Sequence, residues 1–273
     1  MTSTPVFLSP SRPVWALTLG VFALVAGAWL ALTPPGLLGK ADAVGYAICH
    51  RIDLRSFHIG DRPLPLCARC TGIYLGALFG MATLALLGRR FYGGLPPMRL
   101  LVILIGFIGL MGIDGLNSYA KLFPGLPNLY EPNNTLRMIT GTLNGLAVGA
   151  LIYPVFNQTL WRQWEPRPVL GNWRELGLIL LVAAGVIGLV LTENPIALYP
   201  LALLSALGVV LLLTMLYTIG LLIFLRRENQ AETWRQAAWP MLIGLTLAIA
   251  QIALIDAARY SVFGTWAGLP LGG

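Results

Sequence analysis

Every cysteine and both histidines of this chain fall in one short segment. Cys49, His50, His58, Cys67 and Cys70 lie within 22 consecutive positions of 273. Thiols and imidazoles are the donors zinc prefers, four to a tetrahedron. Cys67-Ala-Arg-Cys70 is a CxxC, and 17 residues separate it from Cys49, a spacing that two-knuckle zinc sites use. Three cysteines and one histidine complete such a set, with His50 beside Cys49 and His58 as the alternative fourth ligand; the same soft donors also take iron. A second chemistry fits the same residues. A CxxC at a helix N-terminus, with Arg69 inside it, has a lowered thiol pKa and suits thiol–disulfide exchange, Cys49 then acting as a resolving thiol. The third reading is three buried small hydrophobes with no chemistry.

Arginines are interleaved with these ligands. Arg51, Arg55, Arg62 and Arg69 could clamp a phosphate or a carboxylate, touch anionic headgroups, or pair locally with Asp53 and Asp61. Further along stand Asp114 and Arg137, with Thr140 and Asn144 on the same helical face as Arg137. Ionisable groups at membrane depth are costly and are functional candidates by default. We expect Asp114 and Arg137 to form a central ion pair or ligand clamp in an outward-facing polar chamber. Glu193, Asn194, Asp256 and Arg259 would lie at the same level, and the segments 33–65 and 117–133 would roof the space.

The elements that position these residues follow from composition. AVILMFWYC make up 57% of the chain and DEKR only 11%, and mean hydropathy is +0.76. A soluble domain carries roughly 25% charged residues, so this chain cannot coat a globule with charge. It reads as an all-α polytopic membrane bundle in one transmembrane domain over 1–273. Seven apolar runs are long enough to span a bilayer: 14–32, 66–87, 100–113 continuing to 116, 136–156, 176–192, 196–225 and 240–255. The first is read as a retained helix, because no small-residue cleavage site follows it. The net charge of +7 comes from arginines at helix ends; with no basic run longer than two residues and no reader motif, nucleic acid is excluded as a partner.

Arg89, Arg90, Arg99, Arg162, Arg167, Arg174, Arg226, Arg227 and Arg235 fall in or beside alternate connections. Positive charge marks the cytoplasmic side. The expectation is therefore a prokaryotic inner-membrane protein with a cytoplasmic N-terminus, and with the C-terminus, the 33–65 loop and the Cys/His site extracytoplasmic. Lys40, Arg51, Arg55 and Arg62 go against that rule. Trp161, Trp164, Trp173, Trp234 and Trp239 read as interfacial anchors, and Gly72, Gly76 and Gly80 as a small-residue packing stripe.

At the Cys/His segment the chain resembles an uncharacterised family of bacterial and archaeal predicted membrane proteins, classed as a domain of unknown function. The signature is Cys-His-Arg…Arg-Ser-Phe…Pro-Leu-Cys-Ala-Arg-Cys-Thr-Gly-Ile-Tyr, matched at 49–51, 55–57 and 65–74; a second block comprises Asp114-Gly115, Asn134, Arg137, Thr140 and Gly141. The resemblance covers 44–150, leaves 151–273 as additional helices, and brings no established activity. No Ser-His-Asp set, P-loop, dinucleotide fingerprint or HExxH is present. Three functions remain: a membrane protein with an extracytoplasmic zinc site beside a polar chamber, a membrane thiol–disulfide oxidoreductase using Cys67 and Cys70, and a transporter of a small solute or lipid precursor. The lipid bilayer is the expected environment, and a small anionic or lipid molecule the expected ligand.

Overall fold

The computed structural model describes residues 10–121 and 128–268. Seven of its helices are long and apolar enough to cross a membrane: α1 (Arg12–Leu32), α3 (Ala68–Leu86), α4 (Met98–Ala120), α5 (Asn134–Leu160), α6 (Trp173–Leu191), α7 (Pro195–Phe224) and α8 (Trp234–Phe263). An eighth, α2 (Gly36–Ile48), is short. The helices outrun several of the apolar runs because their caps are polar and lie beyond them. Asn133 caps α5 by accepting the Leu136 N–H at 2.8 Å, and Asn172 caps α6 through the Glu175 N–H at 3.0 Å. Thr233 and Gln236 form a reciprocal capping box that starts α8 well before Pro240, and Gly264 ends it in the left-handed conformation. The seventh span is thus Trp234–Phe263, not 240–255. The turn at Glu193-Asn194-Pro195 is as expected, with Asn194 capping α7.

Packing is tightest between α3 and α5. Gly72 and Gly76 face the backbone of Thr142, and Gly145 faces the backbone of Ile73. A Cβ at any of the three would collide with main-chain atoms, so the small residues set the approach of the two helices. Leu84, Leu100, Leu104, Leu146 and Ile179 fill the space around this pair. Outward faces are apolar. None of α1 is buried, and Leu24, Val102, Leu116 and Leu254 are each at least 60% exposed. Such surface is stable in lipid, not in water.

Chain alternation sorts the connections into two ends. One end carries the residues between α3 and α4, α5 and α6, and α7 and α8. Here a short parallel strand pair forms, β3 (Tyr92–Gly94) with β4 (Glu165–Pro168). Trp161 stacks edge-on with Trp234 at 4.6 Å and with Phe91 at 5.1 Å. Trp161 and Trp239 are buried, so they pack the bundle and are not free anchors; Trp173 and Trp234 are exposed. The other end carries the segment between α1 and α3. It was expected to be a loop over 33–65. It contains instead the buried helix α2, a 3₁₀ turn at Asp53–Arg55, and a hairpin of β1 (His58–Ile59) with β2 (Arg62–Pro63). Ala43, Val44 and Tyr46 of α2 are buried, and the helix packs on α7 and α8. The expected 117–133 roof also changes: α4 continues to Ala120, so Asn117 and Ser118 are helical, and residues 122–127 lie outside the described ones.

Candidate metal centre and polar chamber

Two helix ends bring the cysteines together. α2 stops at Ile48, leaving Cys49 as its C-cap; the chain then turns at Arg51, whose φ of 51° is left-handed. Cys67 is the N-cap of α3, and Cys70 lies in that helix's first turn. The three sulfurs lie within 4.8 Å of one another. Thiolates on a tetrahedral zinc with bonds of about 2.3 Å stand about 3.8 Å apart, so the spacing fits one ion. Cys49 and Cys67 are buried and Cys70 is half-buried, against Ala206 and Val209 of α7 and Ile252 of α8.

The Cys49 sulfur accepts two backbone N–H groups, from Arg51 and from Cys67, each at 3.4 Å. The neighbouring thiols of Cys67 and then Cys70, with these amides, hold the Cys49 thiol well below the usual range, against its burial. Cys67 is pushed up to about 12, first by its hydrogen bond to Cys49. Of the two histidines, His50 reaches one sulfur and lies outside the three-sulfur group: its Nδ1 is 4.0 Å from the Cys49 sulfur and accepts the Ile52 N–H at 3.4 Å. The Nε2 of His58, on β1, is paired with Asp53 at 3.1 Å.

A polar network adjoins the cluster through Arg69, which lies between the two cysteines of the CxxC. Its guanidinium grips Asp114, with Nε 3.2 Å from Oδ2 and an Nη2 contact to the same oxygen. Nη2 also donates to the Asp114 carbonyl at 3.1 Å and to Ser118 Oγ at 3.0 Å. The Tyr130 hydroxyl donates to Asp114 Oδ1 at 2.7 Å, and Thr140 Oγ1 lies 3.4 Å from Oδ2. Asp114 is 1% exposed. Its partner is thus Arg69, not Arg137 as expected. The physical reason is placement: Arg69 enters from the first turn of α3 and sets two nitrogens on one oxygen of the carboxylate, while Arg137 turns back on its own helix. Arg137 Nη1 donates to Asn134 Oδ1 at 2.9 Å, and Asn134 Nδ2 reaches the carbonyls of Leu54 and Ser56 at 3.3 Å.

The remaining arginines separate into two groups. Arg51 and Arg62 both bind Asp42 of α2, and Arg51 also donates to the Trp266 carbonyl at 2.9 Å. They brace the fold of the segment. Arg55 has one long bond, 3.4 Å, to the Ser118 carbonyl; burial and the field of Arg69 hold it below the ordinary arginine range. Lys40 caps the carbonyls of Leu30 and Thr33.

The outer groups at α7 and α8 do not join this chamber. Glu193 is exposed in its turn. Asp256 accepts from Trp29 Nε1 at 3.0 Å and does not pair with Arg259. Arg259 donates to the carbonyls of Tyr46 and Cys49, at the C-terminal end of α2, where a cation is favoured. Asp42, Tyr130 and Ser118 are not among the candidates read from the sequence; Arg259 is, but beside Asp256 and not on α2. Of these, Asp42 is the carboxylate two residues after Lys40 and nine before Arg51.

A polytopic bundle with a three-cysteine cluster at one end is the class this geometry defines. Residues 49–151 match the family model described as a predicted membrane protein, DUF2085. An uncharacterized protein of Methanocaldococcus jannaschii is 32% identical over 123 residues, 45% of this chain and 72% of that protein. An uncharacterized protein of Methanothermobacter thermautotrophicus is 34% identical over 104 residues, 38% of this chain and 83% of its own length. The chain belongs to this family of predicted membrane proteins. No solved structure matches it. The matched region contains all three cysteines, Arg69, Asp114 and Arg137, and leaves α6, α7 and α8 outside.

Proposed function

We propose that the chain is an integral membrane protein in which Cys49, Cys67, Cys70 and His50 hold one zinc ion beside a polar chamber built on Arg69, Asp114 and Arg137. The observation that carries this reading is the meeting of three sulfurs within 4.8 Å, one of them already receiving two backbone amides. A closed set of four protein donors makes the site structural. The bound ion supplies a cross-link between the end of α2 and the start of α3. Around it, the amides of Arg51 and Cys67 hold the Cys49 sulfur in place, and Arg259 holds the carbonyls of Tyr46 and Cys49. Arg69, set between two ligands, then keeps Asp114 at a fixed height in the chamber.

The site end is extracytoplasmic in this reading. Arg89, Arg90, Arg162, Arg167, Arg226 and Arg227 mark the other end as cytoplasmic. Of the cations that go against this, Lys40 binds carbonyls and Arg51 and Arg62 bind Asp42, while Arg55 makes one long bond to the Ser118 carbonyl. A second reading, thiol–disulfide exchange by Cys67 and Cys70, is favoured by the half-exposure of Cys70 at the helix N-terminus. Elemental analysis with thiol titration on detergent-purified protein separates the two. The expected result is one zinc per chain, lost in Cys67→Ser/Cys70→Ser. Iron in its place keeps the site and changes the ion. No metal, with two of three thiols oxidised, overturns the zinc reading in favour of the exchange reaction.

A further inference from the structure

We infer that Arg55, Arg69 and Arg137 form a binding site for a doubly charged phosphoryl group, either inorganic phosphate and soluble phosphomonoesters or the phosphomonoester headgroup of a lipid. This rests on the chamber in the proposed function and adds its ligand class. It does not depend on which ion the cysteines hold.

The first argument is charge. Among the described residues, three guanidiniums share this space with one carboxylate. Asp114 is taken by Arg69. Arg55 and Arg69 both donate to Ser118, and Arg137 is tied through Asn134 to the carbonyls of Leu54 and Ser56 on either side of Arg55, so the three share one space. Arg55 and Arg137 make no ion pair with a carboxylate among the described residues.

The second argument is unused hydrogen-bonding capacity. Arg137 is only 7% exposed, and its buried Nε has no partner. Its bonds to protein end at Asn134. Arg55 has a single contact, at 3.4 Å. A guanidinium offers five donors in a planar fork, so much of the donor set is free to meet oxygens.

The third argument is the placement of these cations. Arg69 lies in the first turn of α3, and Arg137 follows the Asn133 cap of α5 by four residues. Helix N-termini already carry partial positive charge and disfavour cations. Two arginines at two helix starts, with a third opposite, form an arrangement that only an anion relieves. Helix N-terminal amides and arginine forks are the groups that bind phosphate elsewhere. Two unpaired charges match a phosphomonoester, which carries −1.5 to −2 near pH 7, better than a monovalent carboxylate. Asp114, Tyr130 and Thr140 then act as positioning residues that hold Arg69.

The test uses the full chain with its metal bound, and metal content is measured on every sample. Radiolabelled inorganic phosphate is titrated against protein in neutral detergent. In parallel, native mass spectrometry follows retention of phosphatidic acid against phosphatidylcholine from mixed nanodiscs. Arg55→Gln and Arg137→Gln each remove charge-assisted bonds and are expected to weaken binding at least about tenfold. Arg137→Lys keeps the charge and should recover part of the loss. Arg90→Gln, at the opposite end and exposed, should bind as the parent does. Saturable phosphate binding that follows this pattern supports a free anion as ligand. Phosphatidic acid retention alone, lost in the same variants, supports the headgroup. The inference is overturned if the parent chain holds neither ligand while its metal is intact. It is equally overturned if Arg55→Gln and Arg137→Gln, both folded and metal-loaded, bind like the parent. Phosphate binding without metal would instead sink the zinc reading and leave this one standing.

Discussion

Arg69 joins the two halves of the site. Its neighbours in sequence are metal-ligand candidates, and its side chain holds Asp114 on α4. Removing one partner of a buried pair costs about 3–5 kcal/mol, because the other charge is stranded. Arg69 keeps Ser118 and is 17% exposed at its side chain, so the cost here should be lower, about 2–3 kcal/mol. Asp114→Asn is expected to lower stability by that amount, and Tyr130→Phe by about 1 kcal/mol for one lost hydrogen bond. Unfolding in mixed micelles measures both. An Asp114→Asn protein as stable as its parent would show that the pair is not buried as described. The cysteine cluster was legible in sequence because its ligands are few and local. The Arg69–Asp114 pair was not, because 45 positions separate the two, and a guanidinium's reach allows several partners at that distance. Asp114 and Arg137 both carried a signal of intramembrane charge, but sequence spacing alone could not decide which arginine enters the carboxylate's plane.

At the scale of elements, α3 and α5 are the frame. Their contact depends on the absence of side chains at Gly72, Gly76 and Gly145. Gly145→Val should force the helices apart and cost about 1–3 kcal/mol, whereas Gly106→Val on α4 meets nothing within 4 Å and should be near neutral in packing. Thermal unfolding of the two variants, with metal content as a second readout, checks this. Equal behaviour would mean that the close approach of α3 and α5 contributes nothing. The seven spans were readable because each is a long apolar run, and the Gly72/Gly76/Gly80 stripe announced the packing face. The missed element, α2, is short, and it carries Lys40 and Asp42, whose partners sit on other segments. A 13-residue helix with two charges looks like a loop until Arg51 and Arg62 close on Asp42.

The whole molecule divides into two ends of different chemistry. One end presents arginines at its connections. At the other, Lys40, Arg51, Arg62 and Arg69 are held by main-chain carbonyls, Asp42 and Asp114. The positive-inside rule counts residues and cannot see this, which is why the 33–65 segment read as an exception. Reporter fusions test the consequence. A phosphatase joined after residue 268 should be active, and one joined between α5 and α6 inactive; the reverse pattern would invert the sidedness and place the cluster in the cytoplasm. The central claim is the thiolate metal centre itself, and zinc K-edge absorption on the purified, unsubstituted protein measures its ligands directly. The account predicts three sulfur neighbours at about 2.3 Å and one nitrogen at about 2.0–2.1 Å, the nitrogen lost in His50→Ala and kept in His58→Ala. A spectrum with oxygen and nitrogen neighbours only, or a zinc whose sulfur shell survives Cys67→Ser/Cys70→Ser, would contradict it.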